Sequence, residues 1–463
     1  MERARKLKAH RQRTHERRLP HERNGCLRIA ITKGRDSRAP SRGVEALENK
    51  HSFITSNFPD FMLDFECKCG ACRRTCCRHD WNVTLSRDEY ARTTSNELSP
   101  ALRELARKHI KPNPCSTFDG DYAYVEMYGD VNCPMLDENG LCTWICESGE
   151  CPCSTCANFP RTCLRYFDDE YLMPSTGCEA VVEALLRRDA PIALTSRHIE
   201  SPTRNYFVHI TEDLAERRPL LGLYPQLIAF GLSILQNRTV SLDERMACLL
   251  ERLAALDAIE NSKRTDLLPD FLARTPSLPS RASRAKSSQE QPPAWPAVFV
   301  GGEIFRHYCD TTSHGYTSRK ILEGIGVEPR LRINDKGTRD VTVSLKSTEA
   351  YSRAKAKLAS FFERKSVFLE HVAVCLFLKT LTPIREPNVW THATYFAAVY
   401  AAMKAGLTGL FAQSEPSDEQ LADAVVEITR MAVHADLMYR SIYIAMAKAQ
   451  LTTLPGTQAI VRA

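Results

Sequence analysis

Apolar residues recur at helical spacing through most of the chain that follows residue 178. The stretch Glu179–Leu186 has them on one face, and so does a later stretch with Met246, Leu249, Leu250, Leu253 and Leu256. A capping box at Ser241-x2-Glu244 marks the start of this later helix. Beyond residue 298, the same spacing predicts helices over 350–382 and 394–410, and a third that opens at Ser417-x2-Gln420. The apolar face of each helix must pack against another element, so the pattern predicts an α-helical C-terminal half.

Elements before residue 178 are shorter and less regular. A capping box at Ser86-x2-Glu89 predicts a short helix, and Ser99-Pro100 opens another. Residues 122–125 have a brief strand signal, and the later segment 330–345 alternates like a hairpin. Residues 142–178 are rich in Ser, Gly and Pro and lack periodicity outside 166–173, so we expect loops wrapped around a site. The fold class predicted is therefore mainly α, with a loop-rich, cysteine-rich metal-binding domain.

Composition divides the chain further. Residues 275–296 are rich in Pro, Ser, Arg and Gln, which is typical of an exposed linker, and residues 1–50 are basic and poor in apolar side chains. We predict a disordered tail that a truncation near Ser56 would remove without harm. The expected division is a tail over 1–55, a cysteine-rich domain over 56–190, a helical segment over 191–270, a linker over 271–297 and a helical domain over 298–463.

The net charge of +6 comes from the tail, where fifteen Lys and Arg stand against six Asp and Glu. Such a segment can neutralise nucleic acid or anionic lipid, but its composition indicates disorder, and we do not expect a nucleic-acid partner. It contains no apolar run of signal-peptide length. The apolar run at 220–235 is interrupted by Pro225 and Gln226 and is too short to span a bilayer. We therefore expect a cytoplasmic protein without a membrane span.

Cysteines give the clearest chemical signal. The chain has 18, of which fourteen fall between residues 67 and 178 and five between 67 and 77. Hydrophobic cores do not concentrate cysteine in this way, so the cluster indicates disulfides, metal ligation or redox chemistry. A reducing compartment favours metal over disulfides. Four thiolates suit zinc and an iron–sulfur cluster alike, and the spacing matches neither a ferredoxin run nor a paired zinc ribbon.

Most of these cysteines fall in a series of short sequence blocks. The first block has a Pro and two aromatic residues before a Cys-x4-Cys-x3-Cys-Cys pattern and a Trp, here Pro59, Phe61, Phe65, Cys67, Cys72, Cys76, Cys77 and Trp81. The later blocks contain Cys133 and Cys142, then Cys156 before Phe-Pro-Arg, then Cys178 before an apolar helix. A weaker block runs from Leu369-Glu370 through Phe377 to Leu381 and Pro383, and a late His is found at His434. In this order the blocks resemble the flagellin lysine-N-methylase family.

The resemblance implies a 4Fe-4S cluster, S-adenosylmethionine as methyl donor, and methyl transfer to lysine side chains of flagellin. It also implies that the ligands of the cluster are among the eight cysteines that fit the pattern: Cys67, Cys72, Cys76, Cys77, Cys133, Cys142, Cys156 and Cys178. Six other cysteines lie outside the pattern and leave room for a second metal, namely Cys69, Cys115, Cys146, Cys151, Cys153 and Cys163.

Motifs for the methyl donor are missing from the sequence. There is no glycine-rich turn of the doubly wound methyltransferases and no Cys-x3-Cys-x2-Cys signature of radical S-adenosylmethionine enzymes. No catalytic or donor-binding residue is therefore predicted. A structural metal-binding module without catalysis is the alternative function. If the chain is an enzyme, we expect the face that docks its protein substrate on helices within 179–259 and 366–383.

Overall fold

The computed structural model of the chain describes residues 53–78, 83–95, 98–116, 119–128, 132–200, 206, 208–274, 294–311, 313–333, 339–380, 388–433 and 436–463. The predicted tail up to residue 52 and the Pro-rich stretch 275–293 lie outside these residues. So do Trp81, His434 and the end of the weaker motif at Leu381 and Pro383.

Eighteen α-helices lie in the described residues. In chain order, α1 to α18 are Arg87–Arg92, Pro100–His109, Thr143–Ser148, Ser154–Asn158, Glu179–Leu186, Glu212–Arg217, Pro219–Gly222, Tyr224–Leu235, Leu242–Asn261, Leu268–Ala273, Trp295–Phe305, Gly315–Gly324, Thr348–Arg364, Ser366–Thr380, Val389–Leu410, Asp418–Val433, Asp436–Lys448 and Leu454–Arg462.

Ten strands form three sheets among the described residues. They are β1 to β10, at Phe53–Pro59, Thr84–Leu85, Ile110–Pro112, Ala123–Val125, Arg161–Tyr166, Asp169–Pro174, Leu194–Glu200, Val208–Ile210, Val327–Ile333 and Arg339–Leu345. The largest sheet has the order β7-β1-β6-β5-β8, a second has the order β2-β4-β3, and β9 pairs with β10 as a hairpin. The mainly α fold is confirmed, and the five-stranded sheet is an addition to it.

Strand β1 lies inside the largest sheet. It runs parallel to β6, where Ser56 lies opposite Glu170, and antiparallel to β7, where Phe53 lies opposite Glu200. Alternate residues are buried, as a strand covered on one face requires. The predicted tail boundary at residue 55 falls within this strand, so a truncation near Ser56 would remove its first three residues.

Two hydrophobic cores divide the described residues differently from the predicted domains. The smaller core lies within 83–156, between the three-stranded sheet and α1 to α4, and includes Leu85, Trp144 and Cys153. The larger core joins the five-stranded sheet to the C-terminal helices, from Phe58 to Ala463. The cysteine-rich segment therefore contributes to both cores.

Helix α15 is the centre of the larger core. It contacts α9, α11, α12, α13, α14, α16, α17 and α18 and is buried along almost its whole length. Small residues allow this crowding: a side chain at Gly409 would overlap the carbonyl oxygen of Ile321 on α12, and one at Gly324 would overlap the backbone of Gly409. Glycine at the crossing thus lets the two helix backbones touch.

Two of the three predicted capping boxes are confirmed. Ser86 and Glu89 exchange hydrogen bonds at the start of α1, and the pair at Ser417 and Gln420 does the same before α16. The third is wrong, because Ser241 makes no side-chain capping bond. Its expected partner, Glu244, instead forms an ion pair with Arg462 on α18.

Three other predicted elements are settled by the structure. The hairpin predicted at 330–345 is confirmed as β9 and β10. The single helix predicted over 350–382 is wrong, since α13 ends at Arg364 and α14 begins at Ser366. Residues 142–178 contain α3, α4 and the β5–β6 hairpin between their loops. Among the described helices, none combines the length and the apolar character needed to cross a membrane.

Candidate functional site

All eight cysteines of the family pattern lie in the described residues, and all are free thiols. Cys67, Cys72, Cys76 and Cys77 lie on the segment 66–78, which we call the cysteine loop. Cys142 and Cys178 each precede a helix, α3 and α5, and Cys156 lies within α4. Cys133 is tied to the cysteine loop by a hydrogen bond from its backbone N–H to the carbonyl of Cys77, 2.9 Å long.

The fold brings these thiols into one neighbourhood. Burial raises the pKa of Cys72 to about 12, and the negative charges of Glu179, Cys178 and Cys67 add to the effect. Burial also raises the pKa of Cys178 to about 11, with contributions from Cys76 and Cys67. Cys178 therefore lies within electrostatic reach of the cysteines of the loop, although more than 100 residues separate them in the chain.

A second set of thiols lies toward the smaller core. Burial raises the pKa of Cys133 to about 11, with contributions from Cys142, Cys153 and Cys76. Cys156 shares a side-chain hydrogen bond with Cys153 and lies within reach of Cys133 and Cys77. Cys76 and Cys77, which share a hydrogen bond as well, lie between the two sets.

Four cysteines outside the family pattern join this neighbourhood, namely Cys69, Cys146, Cys151 and Cys153. Cys153 is 1% exposed in the smaller core, and Cys151 lies within electrostatic reach of Cys153, Cys142 and Cys67. Their spacing, Cys-x-Cys-x2-Cys over 151–156, was the signal in the sequence. Cys163 lies apart from them, in β5 and the larger core.

The chemistry of these thiols fits a thiolate-bound metal or cluster. Burial disfavours the charged thiolate, and a bound cation would offset that cost. The arrangement is not a finished ligand set, because no three or more His, Cys, Asp and Glu side chains among the described residues are placed to hold a metal ion.

The cysteine loop is fastened to helices α5 and α16. Arg430, which is 6% exposed on α16, donates from Nε to the carbonyl of Gly177 at 3.0 Å and from Nη2 to that of Arg74 at 2.6 Å. Glu179 on α5 accepts the backbone N–H of Arg74 at 2.7 Å and the Nζ of Lys68 at 2.5 Å. A buried arginine and a buried glutamate thus hold the loop by charge-assisted bonds.

A cleft opens where the loop meets these helices. Its volume is about 220 Å³, and its lining includes Arg73, Arg74, Arg78, His314, Glu427 and Arg430. We call it the arginine cleft. His314 precedes α12, and its Nδ1 lies 2.7 Å from Oε1 of Glu427 on α16. Both side chains are buried, at 4% and 5% exposed.

Glu427 is the carboxylate of the cleft. Burial alone would raise its pKa, but the hydrogen bond to His314 and the charges of His314, Arg74 and Arg430 outweigh burial, so the pKa lies below its ordinary value. The group is therefore ionised at neutral pH. The cleft combines four guanidinium groups with one carboxylate.

Sequence reasoning missed the arginine cleft. Arg73, Arg74 and Arg78 are interleaved with the cysteines of the loop, and this was a signal. Glu427 and Arg430 are charged residues at helical spacing on the otherwise apolar buried face of α16, which was another.

The weaker motif of the family pattern has a structural role in the described residues. Glu370 is buried on α14 and forms ion pairs with Arg245 at 2.5 Å and Arg238 at 2.9 Å. Phe377 packs against Phe396 and lies against Gly231. Since α14 is buried along nearly its whole length, the docking face predicted at 366–383 is wrong for the described part of that segment.

Residues 229–457 match the family model of the FliB lysine N-methylase C-terminal domain. The search of curated proteins and the search of solved structures returned no match. The matched region runs from α8 to α18 and includes His314, Glu427 and Arg430, whereas the cysteine loop precedes it. The resemblance seen in the cysteine and proline motifs is thus supported by a second part of the chain, because residues 229–457 are similar to the C-terminal domain of the FliB lysine N-methylase family.

Proposed function

We propose that this chain transfers methyl groups from S-adenosylmethionine to lysine side chains of flagellin in the cytoplasm, with an iron–sulfur cluster bound by its cysteines. Lysine methylation itself follows from the matched domain. The donor, the substrate protein, the cluster and the compartment are the parts that we propose. The dense free thiols support a reducing compartment.

The observation that carries the proposal is the joint between the matched domain and the cysteine loop. Arg430 belongs to the matched domain. It donates to the backbone carbonyl of Arg74, which lies between Cys72 and Cys76, and to that of Gly177, which precedes Cys178. A purely structural module would not need a charged, water-accessible cleft at this joint. The joint therefore supports a shared site rather than two independent units.

Charge at the joint also suits the chemistry. A lysine amine attacks a methyl group only when it is deprotonated, and positive neighbours lower the pKa of an amine. The arginine cleft supplies such neighbours, and His314, hydrogen-bonded to Glu427, is placed beside them. A cluster would be held by cysteines among the eight of the pattern.

The test is an anaerobic purification of the full chain, with iron, sulfide and zinc measured. Incubation with S-adenosylmethionine and flagellin follows, and intact-mass analysis detects methyl increments. Iron with sulfide and methylated flagellin are the expected results. Zinc without sulfide would contradict the cluster, and unmodified flagellin beside a methylated second protein would contradict the substrate.

Cysteine variants test the ligand set. Serine at Cys72, Cys76 or Cys178 should lower the iron content, because these partly buried thiols lie within electrostatic reach of one another. Cys115→Ser is the matched control, since Cys115 is exposed in the turn after β3. Full iron content in all three variants would contradict this assignment.

A further inference from the structure

The arginines that line the arginine cleft differ in how closely they contact acidic side chains. Arg73 turns toward acids at the rim, Glu183 and Asp423, each at 3.3 Å. Arg74 lies only at 3.6 Å from Asp423 and from Glu427. Arg78 is exposed at the mouth of the cleft. The guanidinium groups of Arg74 and Arg78 are therefore placed to bind an anionic group that enters from solvent.

Glu427 supplies the opposite charge deeper in the cleft. Its Oε1 accepts the short bond from His314, whereas Oε2 has Arg74 at 3.6 Å, beyond hydrogen-bond distance. A carboxylate oxygen accepts more than one hydrogen bond. Oε2 can accordingly accept a bond from an ammonium group of a ligand.

The size of the cleft limits what enters it. At about 220 Å³ it is smaller than the usual pocket for a whole drug-sized ligand, roughly 300–1,000 Å³. It fits a compact charged end, and the rest of a larger molecule would extend outward along the cysteine loop.

We propose that the arginine cleft binds an α-amino-acid head group, with its carboxylate on Arg74 and Arg78 and its ammonium on Glu427. This inference rests on the proposed function, because the sulfonium methyl donor has such a head group. Binding there would place the donor beside the cysteine loop, because Arg73, Arg74 and Arg78 of that loop line the cleft. Arg430 would then link the bound head group to the backbone of the loop, through its bond to Arg74.

The experiment compares two probes on the full chain by calorimetry under anaerobic conditions. S-adenosylhomocysteine has the amino-acid end, and 5′-methylthioadenosine lacks it but keeps the adenosine and the sulfur. We expect S-adenosylhomocysteine to bind at least about tenfold more tightly, since each charge-assisted bond to the head group contributes on that scale. Equal affinities, or no binding of S-adenosylhomocysteine to the wild type, would overturn the proposal.

Single substitutions test whether the arginine cleft is the site that binds the head group. Arg78→Gln should weaken the binding of S-adenosylhomocysteine by about tenfold and leave the affinity for 5′-methylthioadenosine unchanged. Arg78 is exposed, so this variant should fold. Arg92→Gln is the control, because Arg92 is exposed on α1 and pairs with Glu150 at 3.5 Å away from the cleft. Unchanged affinity in Arg78→Gln would overturn the assignment of the carboxylate.

Activity separates this inference from the proposed function. If Arg78→Gln methylates flagellin with an unchanged KM for S-adenosylmethionine, the head-group site is wrong while the proposed function stands. If the wild type binds S-adenosylhomocysteine as expected but flagellin stays unmodified, the site stands and the substrate is wrong.

Discussion

Arg430→Gln tests whether the C-terminal domain holds the cysteine loop in place. The guanidinium group donates to Gly177 at 3.0 Å and to Arg74 at 2.6 Å, and a longer contact to Thr75 measures 3.4 Å. A glutamine amide is shorter and uncharged, and it replaces at most one of these bonds. The variant should therefore loosen the loop without removing the apolar contacts of α16.

The magnitude follows from the two short bonds. Hydrogen bonds to a charged group contribute roughly 1.5–3 kcal/mol each, so their loss costs about 3–6 kcal/mol. Burial of the guanidinium opposes its charge and lowers the pKa of Arg430, so part of this cost is recovered when the charge is removed. We expect a net loss of about 2–4 kcal/mol in the free energy of docking, which corresponds to at least roughly a 30-fold increase in local opening.

Amide hydrogen exchange is the assay. The N–H of Arg74, bonded to Glu179 at 2.7 Å, should exchange faster in peptides that cover 67–78. Arg462→Gln is the control, because that arginine pairs with Glu244 on α9. If the loop exchanges at the wild-type rate in Arg430→Gln, then Glu179 and Lys68 hold it without Arg430, and the reasoning fails. A lower iron content in the variant would extend the result to the thiols.

Three further predictions concern stability, measured by urea unfolding and circular dichroism. Glu370→Gln should lower the free energy of unfolding by about 3–5 kcal/mol, because it leaves the buried guanidinium of Arg245 without its carboxylate. Arg238→Gln should lower it by only about 1 kcal/mol, because the side chain of Arg238 is 38% exposed. Equal effects would contradict the importance of the buried pair. Gly409→Ala should cost about 1–3 kcal/mol through backbone overlap, while Gly302→Ala, with 3.9 Å to its nearest neighbour, should be neutral or slightly stabilising. The lowered pKa of Glu427 contributes stability that is present above its ordinary pKa of 4.5 and is lost as pH falls through the folded value. The difference between wild type and Glu427→Gln should therefore shrink below pH 4.5; a constant difference would contradict the shift.

The sequence by itself determined the elements whose causes are local. Capping residues at Ser86 and Ser417 accept bonds three residues away, and the apolar face of a helix such as α5 repeats within two turns. The hairpin of β9 and β10 closes over a few residues. The density of thiols in the cysteine loop was likewise visible without a structure, because its chemical meaning depends on residue type and spacing alone.

One element had a local signal that the interpretation did not use. Helix α14, Ser366–Thr380, is apolar on every side rather than on one stripe, and a helix of this kind is buried in a core. The prediction of a docking face there followed the family motif instead. Its acidic residue, Glu370, is buried because two arginines from outside the helix form ion pairs with it.

Tertiary structure alone decided the contacts that join distant residues. Strand β1 finds β6 more than 110 residues later, and Arg430 meets Arg74 across 356 residues. The neighbours of Cys72 at Cys178 and Glu179 are equally remote in the chain. No periodicity encodes such pairs, since each depends on how separately formed helices and strands pack around a shared core. The arginine cleft arises in the same way, from arginines of the cysteine loop and a buried His–Glu pair of the helical domain.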